Sequence, residues 1–182
     1  MRLVLCRHGD AGGSPELAAA LADLELDAVY SSPLARAVET AQGVAAPHRL
    51  SPVIVDDLRE IELGEVDGLQ FEDYPADLQQ ALLNAPATVR FPGGESYEQL
   101  RARVVAALDE LVARHDGQTV VAVSHAGAIR AALATWLSVV PDASFRLDQS
   151  FGAVNVVDWL DGAPFVRLVN GGRMPTGALR RL

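Results

Sequence analysis

The chain has 182 residues, about half of them apolar, a length that fills one well-buried core and falls short of two at ~100–200 residues per domain. Its formal charge of −9 works against nucleic acid or an anionic membrane as a partner, because such binding draws on basic residues that release counterions. All fifteen basic residues are arginine, which excludes a Walker-type phosphate loop and Schiff-base chemistry, and a single cysteine excludes an internal disulfide.

Leu3 to Cys6 is a short apolar run read as a central strand, and it ends on Arg7, His8 and a loop with Gly9, Gly12 and Gly13. Four apolar residues are far below the ~7–15 of a signal-peptide core or the ~18 of a bilayer span, so a cytoplasmic protein is expected. Ser14-Pro15-Glu16 sets a cap, a first-turn proline and a first-turn acid, predicting a helix to about Leu24. Ala28 to Tyr30 is a second strand, and Ser32-Pro33 repeats the cap-and-proline device to open a helix through Ala46. Pro52 to Val55 is a third strand. Asp57 to Gly94 is less regular, with a helix near Asp73 to Leu83 and a turn at Pro92-Gly93-Gly94.

Ser96 to His115 carries Leu100, Val104, Leu108, Leu111 and Val112 on one helical face, which makes Arg101, Arg103 and Arg114 its wet face. Thr119 to Ser124 is apolar enough for a strand buried on both sides, and Ala126 to Leu137 is helical. Val154 to Leu160 and Phe165 to Val169, joined through Asp161-Gly162, form a terminal hairpin, and the tail after Asn170 is read as disordered. Strands alternating with helices predict a three-layer α/β/α sandwich with a mainly parallel sheet and an antiparallel element near the C-terminus. The expected organisation is one domain over 1–182, with 57–94 inserted over the active site.

Sites in such sheets form beyond the carboxyl ends of the strands. Arg7 and His8 fall there, as do Ser124 and His125, and Arg36 lies in the first turn of the helix after the second strand. Two arginines and two histidines on one rim repel one another unless an anion fills the gap. Arginine's planar fork suits phosphate oxygens, and helix N-termini at Pro33 and Ala126 add backbone N–H groups. A phosphoryl group is the occupant this chemistry asks for, and a neutral histidine can offer it a ring nitrogen as nucleophile.

In order along the chain, LVLCRHGD, SSPLARAVETA, the L-x-E-x-x-x-G-x-x-x-G pattern from Leu58 to Gly68, PGGES and VSHAGAIR resemble the blocks of the histidine phosphatase superfamily. The resemblance is to the branch that includes phosphoglycerate mutase and α-ribazole phosphatase. It implies a phosphoenzyme mechanism without metal or other cofactor, acting on a small phosphorylated metabolite. His8 would attack phosphorus while Arg7, Arg36 and His125 bind the phosphoryl oxygens. Glu60 would protonate the leaving oxygen and later take a proton from water, with Glu62 and Glu65 as close competitors separated from it only by the family pattern.

Where the family continues with E-T-x-x-x-N, this chain has D-A-G-G-S and a shortened segment, which leaves the pocket more open. Ser14 falls at the asparagine's place, so the resemblance makes it a phosphate contact while the residues alone make it a helix cap. Hydrolysis of phosphomonoesters is the favoured activity; a phosphoglycerate-type mutase and a catalytically silent phospholigand-binding protein are the alternatives. Sugar, glycerate and nucleoside-type phosphates all remain open as substrates.

Cys6 is read as a small core residue, His48 and His115 as solvated, and Arg130 as half of a structural ion pair. A zinc site at His8 and His125 conflicts with the two arginines beside it. No feature of the sequence speaks to oligomeric state.

Overall fold

The computed structural model describes residues 1–10 and 13–172. Gly12 of the glycine loop, and the expected disordered tail beyond Gly172, lie outside the described residues. Six strands form one sheet in the order β3-β2-β4-β1-β5-β6: β1 (Arg2–Arg7), β2 (Ala28–Ser31), β3 (Val53–Ile54), β4 (Thr119–Ser124), β5 (Val154–Leu160) and β6 (Ala163–Gly171). The first four run parallel, while β5 is antiparallel to β1 and pairs with β6 as the predicted hairpin. Helices cover both faces, so the sandwich class read from the sequence is the one observed.

The period of two along each strand divides the core. Leu3 and Leu5 of β1 join Val120 and Ala122 of β4 on one face, beneath α4 (Tyr97–Arg114) and α5 (Ala126–Trp136). Val4, Cys6, Val121 and Val123 face the other way, toward α1 (Pro15–Leu21) and α2 (Ala35–Ala45). These side chains are almost fully buried, each leucine or valine among them contributing ~1.5–3 kcal/mol, so the register of β1 against β4 is firmly held. That register sets Arg7 opposite Ser124.

Local details depart from the sequence pattern for physical reasons. Ser14 caps α1 as expected, its hydroxyl accepting the Leu17 N–H, but the helix closes at Leu21. Ser32-Pro33 does not open α2: the helix starts at Ala35 after an extended Leu34, and the Ser32 hydroxyl serves the Leu34 N–H and the His125 ring instead. The helix expected from Asp73 is α3 (Ala76–Asn84), starting only after Pro75, which disfavours helical geometry in the residue before it. Between β3 and α4 the chain is otherwise a run of short 3₁₀ turns. Val66, Leu78, Val89 and Phe91 gather there into a small apolar cluster of their own. Among the described residues no helix is long and apolar enough to cross a membrane.

The largest correction concerns Arg103. It is not on a wet face: its side chain is nearly buried and fork-bonded to Glu95, both contacts at 2.7 Å. It also donates to the carbonyls of Asp57, Arg59 and Glu60. Helical periodicity placed it correctly on the polar side of α4, but the 57–62 segment covers that side. His115, expected to be solvated, is bonded to Tyr30 Oη at 2.8 Å and Gln118 at 2.6 Å, and His48 is half-buried.

Arg103→Ala is expected to lower unfolding free energy by ~3 kcal/mol, because Glu95 is left as an uncompensated, nearly buried charge. Arg101→Ala on the same helix breaks only an exposed pair with Glu98 and costs less than ~1 kcal/mol. Urea titration of both variants measures the difference, and equal losses would contradict the assignment.

Candidate active site

Three parallel strands end together, and their ends carry the reactive side chains. The His8 N–H continues the β1–β4 ladder by donating to Ser124 O, and Ser32 N–H donates to Val123 O across β2–β4. His8 and His125 are thereby brought to 5.0 Å between ring centroids. Arg36, from the first turn of α2, donates from Nε to His8 Nε2 at 3.1 Å. Of the residues singled out from the sequence, Arg7, His8, Arg36 and His125 share this rim.

The hydrogen bonds assign the His8 tautomer. Nδ1 lies 2.6 Å from Gly9 O, which can only accept, so Nδ1 carries the hydrogen and Nε2 presents its lone pair toward Arg36. Burial, then Arg36 and Arg7, lower the His8 pKa below its ordinary value, outweighing the Gly9 bond and Glu60 that raise it. The ring is neutral and its Nε2 lone pair accepts the Arg36 N–H; a ligand oxygen that takes over that N–H would free the lone pair to act as a nucleophile.

His125 is fully buried, and burial together with Arg36, His8 and Arg7 pushes its pKa down to about 3. Its Nε2 lies 2.7 Å from Ser32 Oγ. Ser32 Oγ accepts the Leu34 N–H and its own hydrogen has no other protein acceptor among the described residues, so donation to Nε2 satisfies the hydroxyl and puts the His125 hydrogen on Nδ1. That Nδ1 and Arg7 Nε are both buried without a protein partner. Arg7 is otherwise fixed by a bond from Nη1 to Gln149 O at 2.5 Å and by the Phe151 ring, 3.7 Å from its Cζ. His48 Nε2 and Tyr97 Oη are also buried without a partner but lie off this rim, whereas Arg7 Nε and His125 Nδ1 share it and could both be satisfied by one ligand acceptor group.

Glu60 reaches the rim from the 57–62 segment. Ile61 N–H donates to its Oε1 at 3.0 Å and Gly127 N–H to its Oε2 at 3.1 Å. A Cβ on Gly127 would sit 2.3 Å from Glu60 Oε1, so glycine is required for this approach. Its charge acts on both Arg7 and His8. Glu62 is exposed and paired with Arg59, and Glu65 packs beside Gly93, so neither competitor is placed as Glu60 is.

Ser14 lies against Gly9 and Gly152 with its hydroxyl on the Leu17 N–H, and Ala126 begins α5 directly after His125. Arg130 forms no ion pair among the described residues; its Nε donates to Leu147 O at 2.7 Å. Cys6 is buried, and burial pushes its thiol up to about 12, which fits a core residue. Among the described residues no three His, Cys, Asp or Glu side chains gather as a metal-binding group. Sequence reasoning missed Ser32, Gln149, Phe151 and Arg103. Phe151 stands half exposed beside His8, and only its place just before β5 could have flagged it.

A family model described as the histidine phosphatase superfamily (branch 1) matches residues 13–171. The match begins after Arg7 and His8, whose place in the site rests on the geometry above. A bifunctional protein of Mycobacterium tuberculosis is 34% identical over 147 residues, 79% of this chain and 40% of the relative. Phosphoserine phosphatase 1 of Hydrogenobacter thermophilus is 38% identical over 127 residues, 68% of this chain and 60% of the relative. The chain thus spans less than two thirds of either curated relative. Among solved structures, an Escherichia coli protein described as a putative α-ribazole-5′-P phosphatase superposes with a TM-score of 0.85 at 21% identity, covering 97% of this chain and 99% of the other. A mycobacterial glucosyl-3-phosphoglycerate phosphatase gives 0.80 at 26% identity, covering 93% and 98%.

The depressed His125 pKa has a consequence for stability. Between pH 6.5 and about 3 the unfolded chain holds a proton on His125 that the folded chain does not. This stability is therefore full above pH 6.5 and lost on acidification, at up to ~1.4 kcal/mol per pH unit. In His125→Asn, urea midpoints measured from pH 7.5 to 4.5 are expected to fall less steeply than in wild type, and an unchanged slope would contradict a neutral, buried His125.

Proposed function

The chain belongs to the histidine phosphatase superfamily, and from that premise we propose that it hydrolyses small phosphomonoesters through a covalent phosphohistidine on His8, with no metal ion. The observation that carries this reading is the pair of orphaned buried donors, Arg7 Nε and His125 Nδ1, on the rim where His8 Nε2 offers a lone pair.

In the first step the Nε2–P bond forms as the bond from phosphorus to the leaving oxygen breaks. Charge on the three transferring oxygens meets Arg7, Arg36, His125 Nδ1–H and the N–H of Ala126, with the Ser14 hydroxyl at the margin. Arg7 and Arg36 supply fixed positive charge, so no cation is needed for neutralisation. Glu60, a carboxylate in the free site, takes the proton of the incoming phosphomonoester monoanion and gives it to the departing alkoxide. In the second step water attacks phosphorus, Glu60 takes the proton back, the Nε2–P bond breaks and inorganic phosphate leaves. Gly9 O on Nδ1–H keeps the His8 ring oriented through both steps. The 57–94 segment, which brings Glu60, acts as the cover of the site.

Hydrolysis is favoured over isomerisation because the sequence after His8 is shortened relative to the family pattern and Phe151 beside His8 stands half exposed, which gives water a route to the phosphohistidine. The relatives named as phosphatases of phosphoserine and of glucosyl-3-phosphoglycerate support the reaction class, and a small phosphorylated metabolite is the corresponding substrate. Acid quench after mixing with substrate is expected to trap acid-labile phosphate on wild type and none on His8→Ala. Arg7→Ala or Arg36→Ala should lose ~10²–10³ in kcat/KM. Phosphate retained on His8→Ala, or isomerisation of phosphoglycerate outpacing its hydrolysis, would contradict the reading.

A further inference from the structure

Resting on the phosphatase reading, we propose that the alcohol half of the substrate is apolar and is received in a cavity beside Glu60, with Arg130 on the cavity lining gripping an acceptor group of that alcohol. The cavity holds about 80 Å³ and opens to solvent at its mouth, so it takes up one small apolar portion of the alcohol rather than a whole drug-sized ligand. Its walls are Leu82, Val89, Phe91 and Phe145, with Ile61, Gly127 and, one turn further along α5, Arg130.

The link to the chemistry is specific. The two backbone N–H groups that hold the Glu60 carboxylate belong to Ile61 and Gly127, and both residues also line the cavity. Whatever is bonded to the oxygen that Glu60 protonates therefore begins at the cavity's edge. A serine or glycerate remainder has few apolar atoms to bury, so against these walls it loses water for little gain even where Arg130 meets its carboxylate. A ring or branched chain gains by the same transfer.

Arg130 is the one charged side chain on the lining. Its Nε is occupied by Leu147 O, which fixes the side chain, and no carboxylate pairs with it among the described residues. Its remaining nitrogens suit a carboxylate or carbonyl carried by the alcohol, whose charge this guanidinium would offset.

The test compares esters of similar alcohols: 2-phenylethyl phosphate, its para-carboxy derivative, methyl phosphate, phosphoserine and 3-phosphoglycerate. Wild type is expected to prefer 2-phenylethyl phosphate over phosphoserine and 3-phosphoglycerate by at least tenfold in kcat/KM. The para-carboxylate should add a further severalfold gain that Arg130→Met removes. Phe145→Ser, and Leu82→Gln as a second variant, should abolish the preference while leaving methyl phosphate turnover unchanged. Equal or faster turnover of phosphoserine or phosphoglycerate, or a preference that survives both wall variants, overturns the cavity assignment and leaves the phosphatase reading standing. No phosphate release from any ester overturns both.

Discussion

Positive charge gathered at the ends of parallel strands, with little negative charge to answer it, is the constraint around which this molecule is built. Arg7 and Arg36 sit beside two histidines, and Glu60 is the acid placed to act on that group. Each histidine responds by staying neutral, which removes two further charges from a site that could not tolerate them. The same response leaves His8 with a usable lone pair. Burial first, with repulsion from the two arginines added to it, thus keeps the nucleophile's ring neutral.

Holding such a group together requires rigidity from elsewhere. The double-sided core fixes β1, β2 and β4 in register, so the rim inherits the precision of the sheet. Glu60 comes from outside the sheet and needs its own support. Arg103 supplies it by binding three carbonyls of the segment that carries Glu60 while Glu95 neutralises the guanidinium. Burial pushes the Glu95 carboxyl up, and the bonds from Arg103 and the Glu62 N–H bring it net below its ordinary value. The clamp is therefore intact at neutral pH and weakens only as acid protonates Glu95.

Much of this was legible in the residues. Apolar strands ending in Arg-His and Ser-His, with an arginine in the first turn of α2, located the rim because strand ends dictate where side chains leave a parallel sheet. The long helix was readable from its period, and the hairpin from Asp161-Gly162, both of which adopt positive φ at the turn. The misses share a cause: they depend on contacts distant in sequence. Ser32 looked like a cap until His125, 93 residues away, was seen to hold its hydroxyl. Arg103 looked solvated because periodicity describes one helix and says nothing of the loop that covers it. Phe151 and Arg130 gave no local signal, since what distinguishes them is the guanidinium or cavity beside them.

The central claim is that Arg7, Arg36 and His125 converge on one tetrahedral oxyanion in line with His8 Nε2. A crystal structure with orthovanadate tests it most directly, since the five-coordinate ion reproduces the geometry of phosphoryl transfer. The account requires vanadium bonded to His8 Nε2, with equatorial oxygens on both arginines and on His125 Nδ1. Vanadate bound through another atom, or seated away from His8 at saturating concentration, would contradict it.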